Sequence, residues 1–224
     1  MRITKRSRHA PSRAVRWPRT SVLLAGAAVL LSVGSGSRAA EPDAAATAHA
    51  QRIAVTVCGI CHGPTGNSTQ PKFPRLAGQS ATYLVSQLKA FRAQTRGDPD
   101  AIAYMWGMAS QLDDATIEAL AAYYAAQQPP PAGRGADALV ARGREIYGQG
   151  VPAQGVPACS TCHGADARGQ ADFPRLAGQH AQYVLKQLAS FQSSMRDIAV
   201  MHGVAQNLHL DDMQAVAAYL QAQP

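Results

Sequence analysis

An all-α chain made of two tandem, similar domains is predicted by three observations. Alanine is abundant while aromatic residues make up only 6 % of the 224 residues, a balance that favours helix over sheet. No stretch alternates apolar and polar residues as a half-buried strand does. The second half of the chain also repeats the first: CGICHG (58–63) is answered by CSTCHG (159–164), and FPRLAGQ stands at both 73–79 and 173–179.

The repeat continues through YLVSQLKAF (83–91) and YVLKQLASF (183–191), MWGMASQL (105–112) and MHGVAQNL (201–208), and IEALAAYY (117–124) and MQAVAAYL (213–220). The offset drifts from 101 to 100 to 96, which short loop deletions explain, so the chain is an internal duplication. Between the copies, QQPPPAGRG (127–135) carries three consecutive prolines, which favour a stiff, extended connector. The expected organisation is a first domain at 41–128, a Pro-rich linker at 129–135 and a second domain at 136–224.

Taken in order, a basic stretch reaches Arg19, an apolar run extends from Val22 to about Val33, and Ser37 and Ala39 occupy the −3 and −1 places of a cleavage site. That order reads as a secretory signal peptide over residues 1–39. The apolar run is about half of the ~20 residues a spanning helix needs, so no transmembrane helix is expected in the mature chain. The leader also explains the formal charge of +7: it holds eight basic residues and no acid, and removing it leaves 13 basic against 14 acidic residues. A nearly neutral chain lacks the broad basic face of a nucleic-acid binder.

In each domain a helix runs into the first cysteine, at about 44–57 and about 136–147. The second domain then inserts GQGVPAQGVPA before Cys159. A second helix begins near Ser80 and His180, with Tyr83, Leu84, Leu88 and Phe91, and their counterparts Tyr183, Val184, Leu188 and Phe191, at helical spacing. A last helix covers about 113–127 and 211–222, opened by Asp113/Asp114 and Asp211/Asp212, which suit the positive end of the helix dipole. Domains of this size have a marginal side-chain core, and a prosthetic group at the centre would complete it.

The four cysteines fall into two CxxC pairs, each followed at once by histidine. Residues three and four apart share a face of a helical turn, so Cys58, Cys61 and His62 can address one planar ligand, as can Cys159, Cys162 and His163. Two thiols add across the two vinyl groups of haem while the imidazole reaches the iron, and CxxCH is the attachment signature of c-type haem. A thioredoxin-like dithiol expects a βαβ setting that is absent. A zinc site expects ~15–20 residues between the pairs, and a disulfide between residues three apart constrains almost nothing.

A methionine as second axial ligand fills the iron's coordination and raises its potential. Alignment of MWGMA with MHGVA pairs Met105 with Met201, whereas Met108 faces Val204, Met195 faces Thr95 and Met213 faces Ile117. Met105 and Met201 are therefore the expected distal ligands, with Met108 in the first domain and Met195 or His202 in the second as rivals; Met195 and Met213 otherwise read as packing residues. His49, His180, His202 and His209 have no histidine at their repeat counterparts and read as surface positions.

Two CxxCH domains, each with FPRLAGQ, YxxxQLxxF, M-x-G and a final AAY helix, closely resemble the cytochrome c4 family, and the likeness covers nearly all of the chain after the leader. The resemblance implies two all-α cytochrome c domains packed face to face with haem propionates near the shared interface. It implies thioethers at Cys58, Cys61, Cys159 and Cys162, proximal ligands His62 and His163, and distal ligands Met105 and Met201. Pro74 and Pro174 would accept a hydrogen bond from the proximal imidazole, a contact that fixes the ring. Arg75 and Arg175 would lie near the propionates, whose carboxylates a guanidinium suits. One departure stands out: the second domain has Gly143 four residues before Tyr147 where its first and last helices should cross, and the first domain has Gln51 and Val55 at what look like the matching positions.

The resemblance further implies a periplasmic electron carrier, loosely membrane-associated in some members, that takes single electrons from a quinol-oxidising complex or a dehydrogenase to a terminal oxidase or other acceptor. Its partners would be redox proteins, with no small-molecule substrate and no catalysis. The alternatives are a cytochrome subunit of a flavin- or quinone-linked dehydrogenase, such as a sulfide or alcohol dehydrogenase, and a dihaem peroxidase, which needs an open distal site.

Overall fold

The computed structural model describes residues 44–133 and 137–224; the expected export leader over 1–39 lies outside them. Among the described residues every regular element is helical, and extended pairing is limited to two isolated bridges, Val151 with Val156 and Gln170 with Phe173. No helix among them is long and apolar enough to cross a membrane.

The first half opens with α1 (Ala44–Ile53), which continues through a wide π-type turn at Ala54–Cys58 into α2 (Gly59–His62). A loop carrying Pro74 leads to α3 (Ala81–Arg92), whose first turn is capped by the Ser80 hydroxyl accepting from the Tyr83 N–H. A second wide turn, Ala101–Met105, runs into α4 (Trp106–Ala109). Then α5 (Asp114–Ala125) starts on Asp113, whose carboxylate accepts from the Thr116 N–H at 2.7 Å, the capping expected of an aspartate there. The second half repeats the order with α6 (Asp137–Gln149), α7 (Ser160–His163), α8 (Ala181–Gln192), α9 (Ala199–Ala205) and α10 (Leu210–Gln221). The helical segments around Met105 and Met201 were not anticipated from the sequence. They are too short for apolar periodicity to register.

In each half the first helix packs on the last. In the second, Gly143 lies so close to α10 that a Cβ placed there would sit 2.0 Å from the Ala215 carbonyl oxygen. The first half solves the same crossing with Ala50 and Ala54, both essentially fully buried. Gln51 and Val55 are exposed, which corrects the expected register by one residue.

The halves trade volume across this crossing. The second places Tyr147 on α6 and Leu220 on α10, and the Tyr147 hydroxyl donates to the Gly164 carbonyl at 2.5 Å. The first places Ala54 on the helix leading to the haem motif and Tyr124 on α5, whose hydroxyl donates to the Ala54 carbonyl at 3.2 Å. The exchange reaches a nearby turn. A Cβ at Gly66 would meet Tyr124 at 2.8 Å, whereas Ala167, which makes the matching main-chain bonds to Leu176 and Ala177, fits in the second half beside Leu220. Volume-conserving swaps of this kind keep a core packed.

The two halves meet through the FPRLAGQ blocks. The Gln179 side chain accepts from the Arg75 N–H at 2.9 Å and donates to the Arg75 carbonyl at 3.0 Å. Gln79 does the same to Arg175, at 2.8 Å and 2.9 Å. Both glutamines are buried, so each satisfies main-chain groups of the opposite half. His180 is buried as well, contrary to its expected surface position, because its Nε2 bonds the Ser68 carbonyl across the interface at 2.9 Å. Replacement of Gln79 by alanine strands the Arg175 N–H and is expected to lower stability by about 2 kcal/mol, read as a shift in denaturant midpoint at unchanged slope.

Candidate functional site

Both CxxCH turns open onto one continuous cavity of about 730 Å³, walled mainly by apolar side chains of α3, α5, α8 and α10. Cys58, Cys61, Cys159 and Cys162 line it as free thiols, partly exposed. Burial raises the Cys58 thiol above its ordinary value and pushes Cys159 up to about 11. Among the described residues no cluster of three His, Cys, Asp or Glu side chains is arranged to hold a bare metal ion.

His62 and His163 end their short helices, and each is about 6 % exposed. The Nδ1 of His62 lies 2.8 Å from the Pro74 carbonyl and that of His163 lies 3.0 Å from the Pro174 carbonyl. A carbonyl can only accept, so Nδ1 carries the proton and Nε2 keeps its lone pair. Burial depresses both imidazoles below their usual range, against a smaller opposite effect of the proline carbonyls. They are neutral donors, as a metal ligand must be. Phe73 and Phe173 pack edge-on against the two rings, with centroids 6.1 Å and 6.0 Å away.

Met105 and Met201 both lie on the cavity wall, half-buried. Met108 also reaches the wall but is 48 % exposed, and Met195 is 46 % exposed and off the wall, so it is not the packing residue expected; Met213 is buried in the core. The His202 Nδ1 is bonded to the Phe191 carbonyl at 2.9 Å. Arg75 and Arg175 border the cavity with part of their donor capacity committed to main chain: Arg75 to the Gly178 and Ser68 carbonyls, Arg175 to the Pro224 carbonyl at 2.8 Å.

Sequence reasoning missed a second arginine pair, Arg96 and Arg196, which are 7 % and 6 % exposed and line the same cavity. The signal was available, because they stand at the same 100-residue offset as the FPRLAGQ blocks. The residues present fit a haem in each half: an apolar chamber, two thiols and a neutral imidazole on one turn, and buried guanidinium groups suited to carboxylates.

A model of the cytochrome c family matches residues 47–126 and 140–224. The chain is 40 % identical to cytochrome c4 of Azotobacter vinelandii over 205 residues, covering 86 % of this chain and 95 % of that protein. It is 37 % identical over 174 residues to a protein of Thiomonas intermedia named as a thiosulfate dehydrogenase electron acceptor, covering 75 % and 78 %. Reduced cytochrome c4 of Pseudomonas stutzeri superposes with a TM-score of 0.72 at 37 % identity, over 80 % of this chain and 98 % of that one. With a cytochrome c fold in each half and a CxxCH turn facing each part of the cavity, the chain belongs to the cytochrome c family, in its cytochrome c4 branch: a dihaem electron carrier with two covalently bound haem c groups.

Proposed function

We propose that this protein moves single electrons in the periplasm, from a quinol-oxidising complex or dehydrogenase to a terminal oxidase or other redox-protein acceptor. In this reading the domains run over 41–128 and 136–224 with the linker at 129–135. Cys58, Cys61, Cys159 and Cys162 form the thioethers, His62 and Met105 ligate one iron, and His163 and Met201 ligate the other. The observation that carries the reading is the pair of buried imidazoles, each fixed by a proline carbonyl at the end of a CxxC turn and each sharing its cavity wall with a methionine.

Bound haem supplies a one-electron iron couple. The chain's residues orient and insulate it. Pro74 and Pro174 hold the imidazoles in one tautomer. Leu84, Leu88, Val184, Leu188 and Leu220 form part of a wall that restricts water, and a dry surround steadies a redox centre against solvent reorganisation. A filled methionine site leaves no position for a substrate at either iron.

The methionine–iron charge-transfer band of the oxidised protein tests the assignment. Met105→Ala and Met201→Ala are each expected to remove about half of its intensity, and the double variant all of it. A band unchanged in Met105→Ala would transfer the role to Met108, which also reaches the wall, and one unchanged in Met201→Ala would remove Met201 from the second iron. The likeness to a thiosulfate dehydrogenase electron acceptor supports a second reading, in which the donor is a dehydrogenase bound to this chain. Purification of the native protein separates the two: a stoichiometric catalytic partner establishes the complex, and a lone dihaem chain establishes the free carrier.

A further inference from the structure

The segment that carries Met105 is fastened on both sides of the methionine. On the far side, the Trp106 Nε1–H donates to the Arg96 carbonyl at 2.8 Å. On the near side, Tyr104 meets the loop that carries Pro74. Its ring packs edge-on against Phe73, with centroids 5.7 Å apart and planes at 80°. Its hydroxyl accepts from the Lys72 ammonium at 2.5 Å. Phe73 is also the ring that touches His62. Contacts therefore run from the proximal imidazole through Phe73 to the residue before Met105. They pass around the edge of the cavity that His62, Lys72, Phe73 and Tyr104 all line.

The second half keeps only part of this. His202 follows Met201, and its Nδ1 bonds the Phe191 carbonyl at 2.9 Å, much as Trp106 bonds that of Arg96. Phe173 packs on His163. The near side differs. Asp172 stands where the first half has Lys72, and Val200 where it has Tyr104. A valine offers neither ring nor hydroxyl, and both residues are exposed, Val200 by 54 %. Met201 is thus anchored on one side and Met105 on two. For a small base to take the place of the thioether, the iron–sulfur bond must break and the segment must swing off the cavity. That motion is a local opening, and every contact it breaks slows it.

We propose that Lys72 and Tyr104 are positioning residues that strap the Met105 segment across the cavity edge, keeping the thioether on the first iron and small ligands off it. The inference rests on the two-haem reading with methionine ligands, and adds what holds one of them in place. The second half, without the strap, is its internal control.

The probe is imidazole, added in excess to the oxidised full dihaem protein. Its nitrogen bonds the iron as the thioether leaves, with no change of oxidation state. Loss of the methionine–iron charge-transfer band follows the exchange in a stopped-flow spectrometer. The wild type is expected to lose the band in two phases of similar amplitude, the slower from the first half. Met201→Ala, which leaves Met105 as the source of the band, identifies that phase. Tyr104→Phe keeps the ring and removes the hydrogen bond, and should speed the slower phase about threefold. Tyr104→Val also removes the ring contact, and should speed it about tenfold, with the faster phase changed less than about twofold. Asp172→Lys with Val200→Tyr should slow the faster phase about threefold or more, a gain that a merely structural role for Tyr104 would not produce. A slower phase unmoved by Tyr104→Val, or both phases speeded equally, overturns the proposal. Should that variant not fold, an unmoved slower phase in Lys72→Leu, a change on an exposed side chain, overturns it as well. A wild type without the band fails the methionine assignment and the strap together, whereas a band whose slower phase ignores these variants fails the strap alone.

Discussion

Exchange of Cys159 and Cys162 together for alanine will give a protein that binds one haem instead of two and whose second half no longer folds. The second half's share of the cavity is walled by Val184, Leu188, Phe191, Val204, Leu208, Val216 and Leu220. Without a covalently held group these side chains face each other across a gap they cannot close, because α6 and α10 are already in tight contact at Gly143. A domain of this size has little stability to spare, and the loss is on the order of its whole folding free energy, about 5–10 kcal/mol. Haem content per chain should halve by pyridine haemochrome assay. Limited proteolysis should cut within 137–224 while leaving 44–126 intact. A variant that kept full protease resistance with one haem would show that side chains alone sustain the second half.

The next largest effect is expected from Gly143→Val. Even a single added methyl would lie 2.0 Å from the Ala215 oxygen and 2.6 Å from the Tyr219 Cβ, and both belong to the helix on which the C-terminal core is built. Main chain cannot yield as a flexible side chain does, so α6 must move away from α10. That separation uncovers Ile146 and Tyr147, which are at most 1 % exposed. Overpacking of this severity costs about 3 kcal/mol or more. For a domain of under 100 residues this corresponds to a fall in melting temperature of at least ~10 °C, measured by far-ultraviolet circular dichroism. Ala50→Val should act in the same direction in the first half, where Ala50 is buried against α5.

Local signals in the sequence reported the fold well. The helices beginning after Ser80 and Asp113 were legible from apolar spacing and capping residues, and the proline carbonyls opposite His62 and His163 followed from family resemblance. What escaped was non-local. His180 read as a surface residue because nothing near it in sequence satisfies an imidazole; its partner, the Ser68 carbonyl, lies 112 residues away. Arg96 and Arg196 likewise have acceptors on the opposite half as well as on their own. The register slip at Gln51 and Val55 has a different origin. The Ala54–Cys58 segment is π-helical, and a wide turn accommodates an extra residue, so counting back from Cys58 at 3.6 residues per turn names the wrong face.

The reciprocal pairing of Gln79 with Arg175 and of Gln179 with Arg75 means that one patch, present once in each copy, recognises itself. A self-matching patch is what a twofold pair of separate chains requires. The contact therefore has the form that two separate, identical domains would need in order to pair. Joining the copies in one chain replaces a meeting that depends on concentration with one set by the tether's reach, and leaves each copy free to differ. The bond from Lys72 to Tyr104, present in only one of them, uses that freedom.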